Sequence, residues 1–240
     1  MQLNGKTILL TGGTDGIGRE LAAQLKAKGA AVIVTGRTPE RIEVAKAAGY
    51  ETVMADLSTA AGVEVVLAAV TGRDIDILIN NAGVGSDHDF RDVAPDLADN
   101  DRCIALNVNA PIHLITRLMD RLKSRPEAMI VNVTSGLAIA PRAGGPIYCA
   151  TKAALRSYTL ALREQLKGKR IHVLEVLPPV VETKMTAGRG SKKMSAKDCA
   201  AQIVDAMETN ANEANVGMVK ILRAVYSLSP ALARRIMIGF

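Results

Sequence analysis

The strongest constraint on how this chain can fold is an alternation of short apolar runs with longer amphipathic ones, repeated from the first residues onward. Residues 6–11 (KTILLT) read as a strand, 16–28 as an amphipathic helix, 31–35 as a second buried strand and 39–48 as a second helix. The runs 52–55, 59–70 and 75–79 continue as strand, helix and strand, and 171–177 reads as a later strand. Short strands that are apolar throughout and separated by helices predict a parallel sheet covered on both faces, with ligands at the carboxyl ends of the strands. No repeat, low-complexity tract or linker divides the 240 residues, so one doubly wound α/β domain over 1–240 is the economical expectation.

Composition narrows what such a domain does. Tryptophan is absent and Phe is limited to Phe90 and Phe240, so aliphatic side chains and alanine must fill the core. The net charge of +6 is spread along the chain except near 184–193 and 220–235. Neither a recognition motif nor a stacking aromatic array accompanies it, which argues against a nucleic-acid partner. Cys103, Cys149 and Cys199 are odd in number, far apart and without metal-ligand spacing. They read as reduced thiols of a cytoplasmic protein, with no metal site. The chain enters its first strand with no apolar signal segment, and no run is long enough to span a bilayer.

The first strand runs into Thr11-Gly12-Gly13-Thr14-Asp15-Gly16-Ile17-Gly18. Glycines between a strand and a helix let the backbone approach a pyrophosphate, whose charge is met by unpaired N–H groups at the helix N-terminus. The T-G-x-x-x-G-x-G spacing departs from G-x-G-x-x-G, but its place between the first strand and first helix favours cofactor binding. Asp15 fits a helix cap, yet it adds repulsion beside an anionic cofactor. After the second strand the chain reads Val34-Thr35-Gly36-Arg37-Thr38, with no carboxylate for a ribose 2′-hydroxyl. Arg37 suits a 2′-phosphate instead, which favours NADP(H) and leaves NAD(H) as the second choice. Asp56 and Leu57, after the third strand, are candidates to meet the adenine ring.

The chemistry is concentrated in 135–152, SGLAIAPRAGGPIYCATK. Tyr148 and Lys152 stand four residues apart at the start of a helical stretch, so the ammonium lies on the face that carries the phenol. A free phenol has a pKa of about 10, and bringing it near neutrality means favouring phenolate by roughly 4 kcal/mol, which a fixed cation helps supply. Ser135 offers a hydroxyl to a substrate oxygen. Taken singly, each of these residues has an ordinary structural explanation.

Taken together, TGGTDGIG, Asn80-Asn81-Ala82-Gly83, Asn107, Ser135 and YCATK occur in an order that resembles the short-chain dehydrogenase/reductase family over roughly residues 5–220. The runs IVNVTSGLAIAP and PIYCATKAALRSYTLALREQL are also similar to its subgroup named for D-alanine esterification of teichoic acids. The resemblance implies a single-domain Rossmann-type fold with a mostly parallel, seven-stranded sheet and a nicotinamide cofactor. It implies that Gly12, Thr14, Gly16, Ile17 and Gly18 hold the phosphates, that Asp56 and Leu57 meet the adenine, and that Asn81, Ala82 and Gly83 lie on the adenosine ribose side. It further implies that Ser135 bonds the substrate carbonyl and Tyr148 passes the proton. Lys152 would bind the nicotinamide ribose and lower the tyrosine's pKa, and Asn107 would anchor a proton-relaying water. Pro178, Val181 and Thr183 would lie near the carboxamide and phosphate, although Pro179 stands where the family usually has glycine.

The acidic stretch 85–100 reads as a solvated loop, with His88 exposed in it, leading to a helix over 101–122. That helix and 149–167 match those that pair subunits in the family, so a homodimer or homotetramer is expected by resemblance. Residues 180–197 occupy the place of a substrate lid, where Lys184, Arg189, Lys192 and Lys193 read as solvated. The tail 218–240 mixes apolar and basic residues, and Ser229-Pro230 suits a last short helix. Packing on its own domain or a neighbouring subunit is favoured over a membrane surface. The functional expectation is an NAD(P)(H)-dependent oxidoreductase of a small carbonyl or alcohol, with Tyr148 as acid/base. The alternative is a non-catalytic nucleotide-binding sensor or interaction protein; epimerase or dehydratase chemistry is disfavoured because the chain lacks the extra C-terminal domain of longer relatives.

Overall fold

A computed structural model describes residues 1–92, 94–188 and 193–239. Arg189, Lys192 and Phe240 therefore lie outside the described residues. Among the described residues seven strands form one sheet: β1 (Thr7–Leu10), β2 (Ala31–Gly36), β3 (Glu51–Met54), β4 (Ile77–Asn80), β5 (Ala128–Val133), β6 (Ile171–Leu177) and β7 (Glu213–Asn215), in the order β3-β2-β1-β4-β5-β6-β7. Every strand pair is parallel, with Leu10 opposite both Val34 and Ile79. The order reverses between β1 and β4, and a crevice opens there at the strand ends, as doubly wound sheets require.

Helices α1 (Gly16–Ala27), α2 (Pro39–Ala47) and α3 (Ala60–Ala69) connect the first strands. Next come α4 (Leu97–Ile104), α5 (Ala110–Ser124), α6 (Pro146–Gln165) and α7 (Ala196–Glu208), then α8 (Val219–Leu228) and α9 (Pro230–Met237). Because successive strand residues face opposite ways, Ile8 and Leu10 pack with Leu21, Leu25, Ile203 and Met207 of α1 and α7 on one side. Leu9 points to the other side, with Val66 of α3, Leu114 and Leu118 of α5 and Leu162 of α6.

Two expectations are corrected, that of the helix over 101–122 and that of His88. The helix expected over 101–122 starts at Leu97, because the Asp96 carboxylate caps it by accepting from Ala98 N at 2.9 Å, and residues 97–100 belong to it rather than to a loop. It is then broken by a π turn, Ala105–Asn109, before α5 begins. In the tail the last short helix starts at Ser229-Pro230 as expected, with the Ser229 hydroxyl accepting from Leu232 N, and Ser229 also closes a helix that was not expected, α8. His88 is half-buried and meets Phe90 edge-on at 5.0 Å. The base of the expected lid is pinned by a bridge between Val181 and Met194, with Glu182 N donating to Met194 O at 2.8 Å and Met194 N to Val180 O at 3.2 Å.

Candidate active site

The turn between β1 and α1 is tied to the end of β4. Thr11 Oγ1 donates to Ile79 O and accepts from Asn81 N and Ala82 N, both at 3.0 Å. Asn81 Nδ2 returns to Thr11 O at 3.0 Å and Gly12 O at 3.2 Å. Asn81 therefore shapes the turn with its side chain. Gly12 has φ +66°, and a Cβ on Gly13 would lie 2.7 Å from Val34, while one on Gly18 would overlap the Gly12 carbonyl oxygen. The result is a side-chain-free cradle at the start of α1, which fits a pyrophosphate. Asp15 caps α1, accepting from Gly16 N at 2.9 Å, and its other oxygen pairs with Arg41 NH1 at 2.7 Å. The repulsion expected of this carboxylate is thus partly neutralised.

Arg37 follows β2 and Asp56 follows β3. Burial opposes ionisation of Asp56, but Ser58, donating through N at 3.0 Å and Oγ at 2.7 Å, and the nearby Arg37 guanidinium together hold the carboxyl below its ordinary value.

At the other end, Ser135 lies just past β5, and its Oγ accepts from Leu137 N at 3.1 Å. Tyr148 and Lys152 sit in the first two turns of α6, which Pro146 opens. Lys152 is only 4% exposed, its Nζ donates to Val133 O at 2.8 Å, and it stands 5.8 Å from the centre of the Tyr148 ring. Burial pulls the ammonium down to about 8. Asn107, fully buried in the π turn, accepts from Val84 N at 2.9 Å through Oδ1. Its Nδ2 reaches Val84 O at 2.9 Å and Thr151 Oγ1 at 3.0 Å. The amide thereby ties the loop after β4 to α6.

A cleft of about 630 Å³ joins the two ends. Gly12, Thr14, Asp15, Gly16, Ile17, Gly18, Arg37, Asp56, Leu57, Asn81, Ala82 and Gly83 line it, as do Ser135, Tyr148, Lys152, Pro178, Val181 and Thr183. Asn107 lies beneath it. Lys184 borders the cleft, whereas Lys193 donates to the Thr186 carbonyl and holds its own segment in place. Arg41 and Thr38 also line the cleft without having been singled out in the sequence. The available signal was position, since Thr38 stands at the cap of the helix that Arg37 precedes and Arg41 in its first turn. Cys149, beside Tyr148, is buried, and burial pushes its thiol up, which agrees with an inert side chain.

The sequence profile of short chain dehydrogenases matches residues 6–194. This chain is a short-chain dehydrogenase. It is 40% identical to an uncharacterised oxidoreductase, DltE, of Bacillus subtilis, over 76% of this chain and 74% of that protein. It is 34% identical to a serine 3-dehydrogenase of Rhizobium radiobacter, over 80% of this chain and 78% of that one. Its structure superposes on a short chain dehydrogenase from Burkholderia cenocepacia solved with NADP, at a TM-score of 0.88 and 25% identity over 100% of both chains. As a short-chain dehydrogenase, the protein is a nicotinamide-dependent oxidoreductase that works between CH–OH and C=O groups. The non-catalytic reading of the fold gains no support. Among the described residues no cluster suits a metal ion, and no helix is long and apolar enough to cross a membrane.

Proposed function

We propose that this short-chain dehydrogenase reduces a small carbonyl compound with NADPH, or runs the reverse alcohol oxidation, with Tyr148 as the acid/base. The observation that carries the reading is the buried Lys152 ammonium, anchored to Val133 O and facing the Tyr148 ring, in the cleft that also holds Ser135 and the glycine turn. A bound dinucleotide supplies or takes the hydride at the substrate carbon. Ser135 orients the substrate oxygen, and Tyr148 passes it a proton as charge grows there. Lys152 holds the cofactor ribose and favours phenolate, and Asn107 fixes the π turn that aligns α6.

The glycine turn, Asp56, Leu57 and Asn81 to Gly83 hold the dinucleotide, and Arg37 selects the 2′-phosphate. Pro178, Val181 and Thr183 close over the nicotinamide end. Support for NADP over NAD comes from Arg37 at the cleft and from the absence of a carboxylate directly after β2. The Burkholderia cenocepacia neighbour was crystallised with NADP, and a relative 32% identical over 72% of this chain is an NADP-dependent 3-hydroxy acid dehydrogenase of Salmonella typhi.

The chain works as one catalytic domain over 1–240, with 180–197 as its lid. It assembles as a homodimer or homotetramer, for which Leu97 and Ile104 on α4 and Leu160 on α6 leave exposed apolar surface. Three free buried cysteines agree with a cytoplasmic setting. The test is Tyr148→Phe, assayed on a panel of 3-oxo acids, simple ketones and aldehydes by NADPH absorbance. NADPH affinity should hold within about twofold while turnover falls by at least about 10²-fold, in line with the loss of general acid catalysis. Retained turnover would remove Tyr148 from the chemistry.

A further inference from the structure

The nucleotide end of the cleft carries two arginines, and each has a carboxylate beside it. Arg37 lies near enough to Asp56 to help keep that carboxyl ionised, and Arg41 NH1 is 2.7 Å from Asp15 Oδ2. All four residues line the same cleft. The Asp15–Arg41 pair is not explained by stability. Its side chains are each 35% exposed, and pairs of that kind contribute about 0–1 kcal/mol. Asp15 does not need a charge to start α1 either, because Asn caps a helix as well as Asp does. What the pair does is set the charge at the mouth of the glycine turn. Thr38, at the start of α2, makes no side-chain cap, so its hydroxyl is not spent on its own helix.

We infer that Arg41 is a second specificity-determining residue for the 2′-phosphate, and that Asp15 tempers it by competing for the same guanidinium. This rests on the reading of Arg37 as the selector of NADP and extends it. With the 2′-phosphate present, Arg41 divides between two anions. With NADH it stays on Asp15 and shields the pyrophosphate from that carboxylate. The chain thus binds NADPH more weakly than two free arginines would allow, which keeps release of the oxidised cofactor easy.

The experiment uses the purified full chain and titrates NADPH and NADH by cofactor fluorescence, with 2′,5′-ADP and 5′-AMP as competitors that isolate the phosphate end. Arg41→Ala should weaken NADPH and 2′,5′-ADP by about tenfold, as expected for one charge-assisted bond, and NADH and 5′-AMP by no more than about threefold. Asp15→Asn should tighten NADPH by about threefold or more and NADH by less. In the Asp15→Asn background, Arg41→Ala should lower the NADPH to NADH affinity ratio more than it does in the wild type, because Arg41 is then no longer divided between two anions. Arg41→Lys keeps the charge and should retain part of the selectivity, which separates loss of the phosphate contact from a misfolded turn. An Arg41→Ala variant that loses NADPH and NADH equally would overturn the inference and make Arg41 a support for the turn. So would an Asp15→Asn variant that binds NADPH more weakly. Arg37→Ala is the control for the underlying reading: if it leaves the NADPH to NADH ratio unchanged, the assignment of NADP by Arg37 fails, whatever Arg41 does.

Discussion

Replacing Lys152 by methionine should stabilise the ligand-free protein while abolishing its chemistry. The ammonium is 4% exposed, and desolvation lowers its pKa from an ordinary 10.5 to about 8. At about 1.4 kcal/mol for each tenfold change in proton affinity, holding the charged form in the fold costs about 3 kcal/mol at pH 7. Methionine fills similar volume without that cost. It also forfeits the 2.8 Å bond from Nζ to Val133 O, worth about 1 kcal/mol. The net gain near pH 7 is about 2 kcal/mol, which raises the melting temperature of a chain this size by about 4–8 °C. The sign depends on pH. Below about pH 8 the amine is protonated in both the folded and unfolded states, and the wild type bears the full penalty. Between about 8 and 10.5 the folded amine is neutral while the unfolded one still holds its proton, so the unfolded state binds more protons and wild-type stability rises with pH relative to the variant. Thermal unfolding of both proteins from pH 7 to 9.5 gives a difference in which other titrating groups, including the buried thiols, largely cancel. A variant less stable than wild type at pH 7, or a difference that stays flat across that range, would refute the reasoning.

Two further changes probe the scaffold. Gly18→Ala puts a methyl into the Gly12 carbonyl and 2.6 Å from Asn81 Nδ2, so the cradle must open; dinucleotide affinity, read by NADPH fluorescence, should fall by at least about tenfold, and an unchanged affinity would show that the turn is not the phosphate seat. Glu175→Ala leaves Arg156 half-buried beside Glu213 alone and should lower stability by about 3 kcal/mol in urea, whereas Glu175→Gln, which still accepts from Thr134, should cost clearly less; equal costs would mean that the pairing contributes little.

Most of the sheet was legible because parallel strands buried on both faces announce themselves as apolar runs, and strand ends moved by only a residue or two between expectation and structure. Cofactor and catalytic positions were legible for a different reason. Backbone approach, helix-end charge and a phenol-amine pair each restrict residue type and spacing. What the sequence hid was governed by long-range contacts. Nothing local in 101–122 marks the π turn, in which Asn107 bonds both Val84 and Thr151, from segments far apart in the chain. Asp96 was a legible cap, but it sat in a run acidic enough to read as solvated. Arg41 was hidden for a similar reason: an arginine in the first turn of a helix looks like surface until the fold brings it against Asp15.

The least expected feature also explains how a helix keeps Tyr148 and Lys152 in register with a strand end. Asn80, Asn132, Glu175 and Glu213 stand opposite one another across β4, β5, β6 and β7, a polar row through the sheet. That row and the neighbouring carbonyls meet a stripe on α6. Lys152 Nζ reaches Val133 O, and Arg156 bonds Glu175 as well as Glu213, the latter at 3.2 Å. Thr159 Oγ1 accepts from Asn132 Nδ2 at 2.9 Å, with Asn80 Nδ2 donating to Asn132 Oδ1 behind it, and Arg163 Nε meets Val173 O at 2.9 Å. Positions 152, 156, 159 and 163 follow the helical period and share one face. Apolar contacts alone would hold the helix against the sheet yet let it roll or slide at small cost, because dispersion is non-directional. Directional bonds at four successive turns remove that freedom. Productive geometry tolerates errors of only about 0.5 Å or 10–20°, so burying charges inside this sheet, a poor choice for stability alone, is physically consistent with a helix that must aim a phenol.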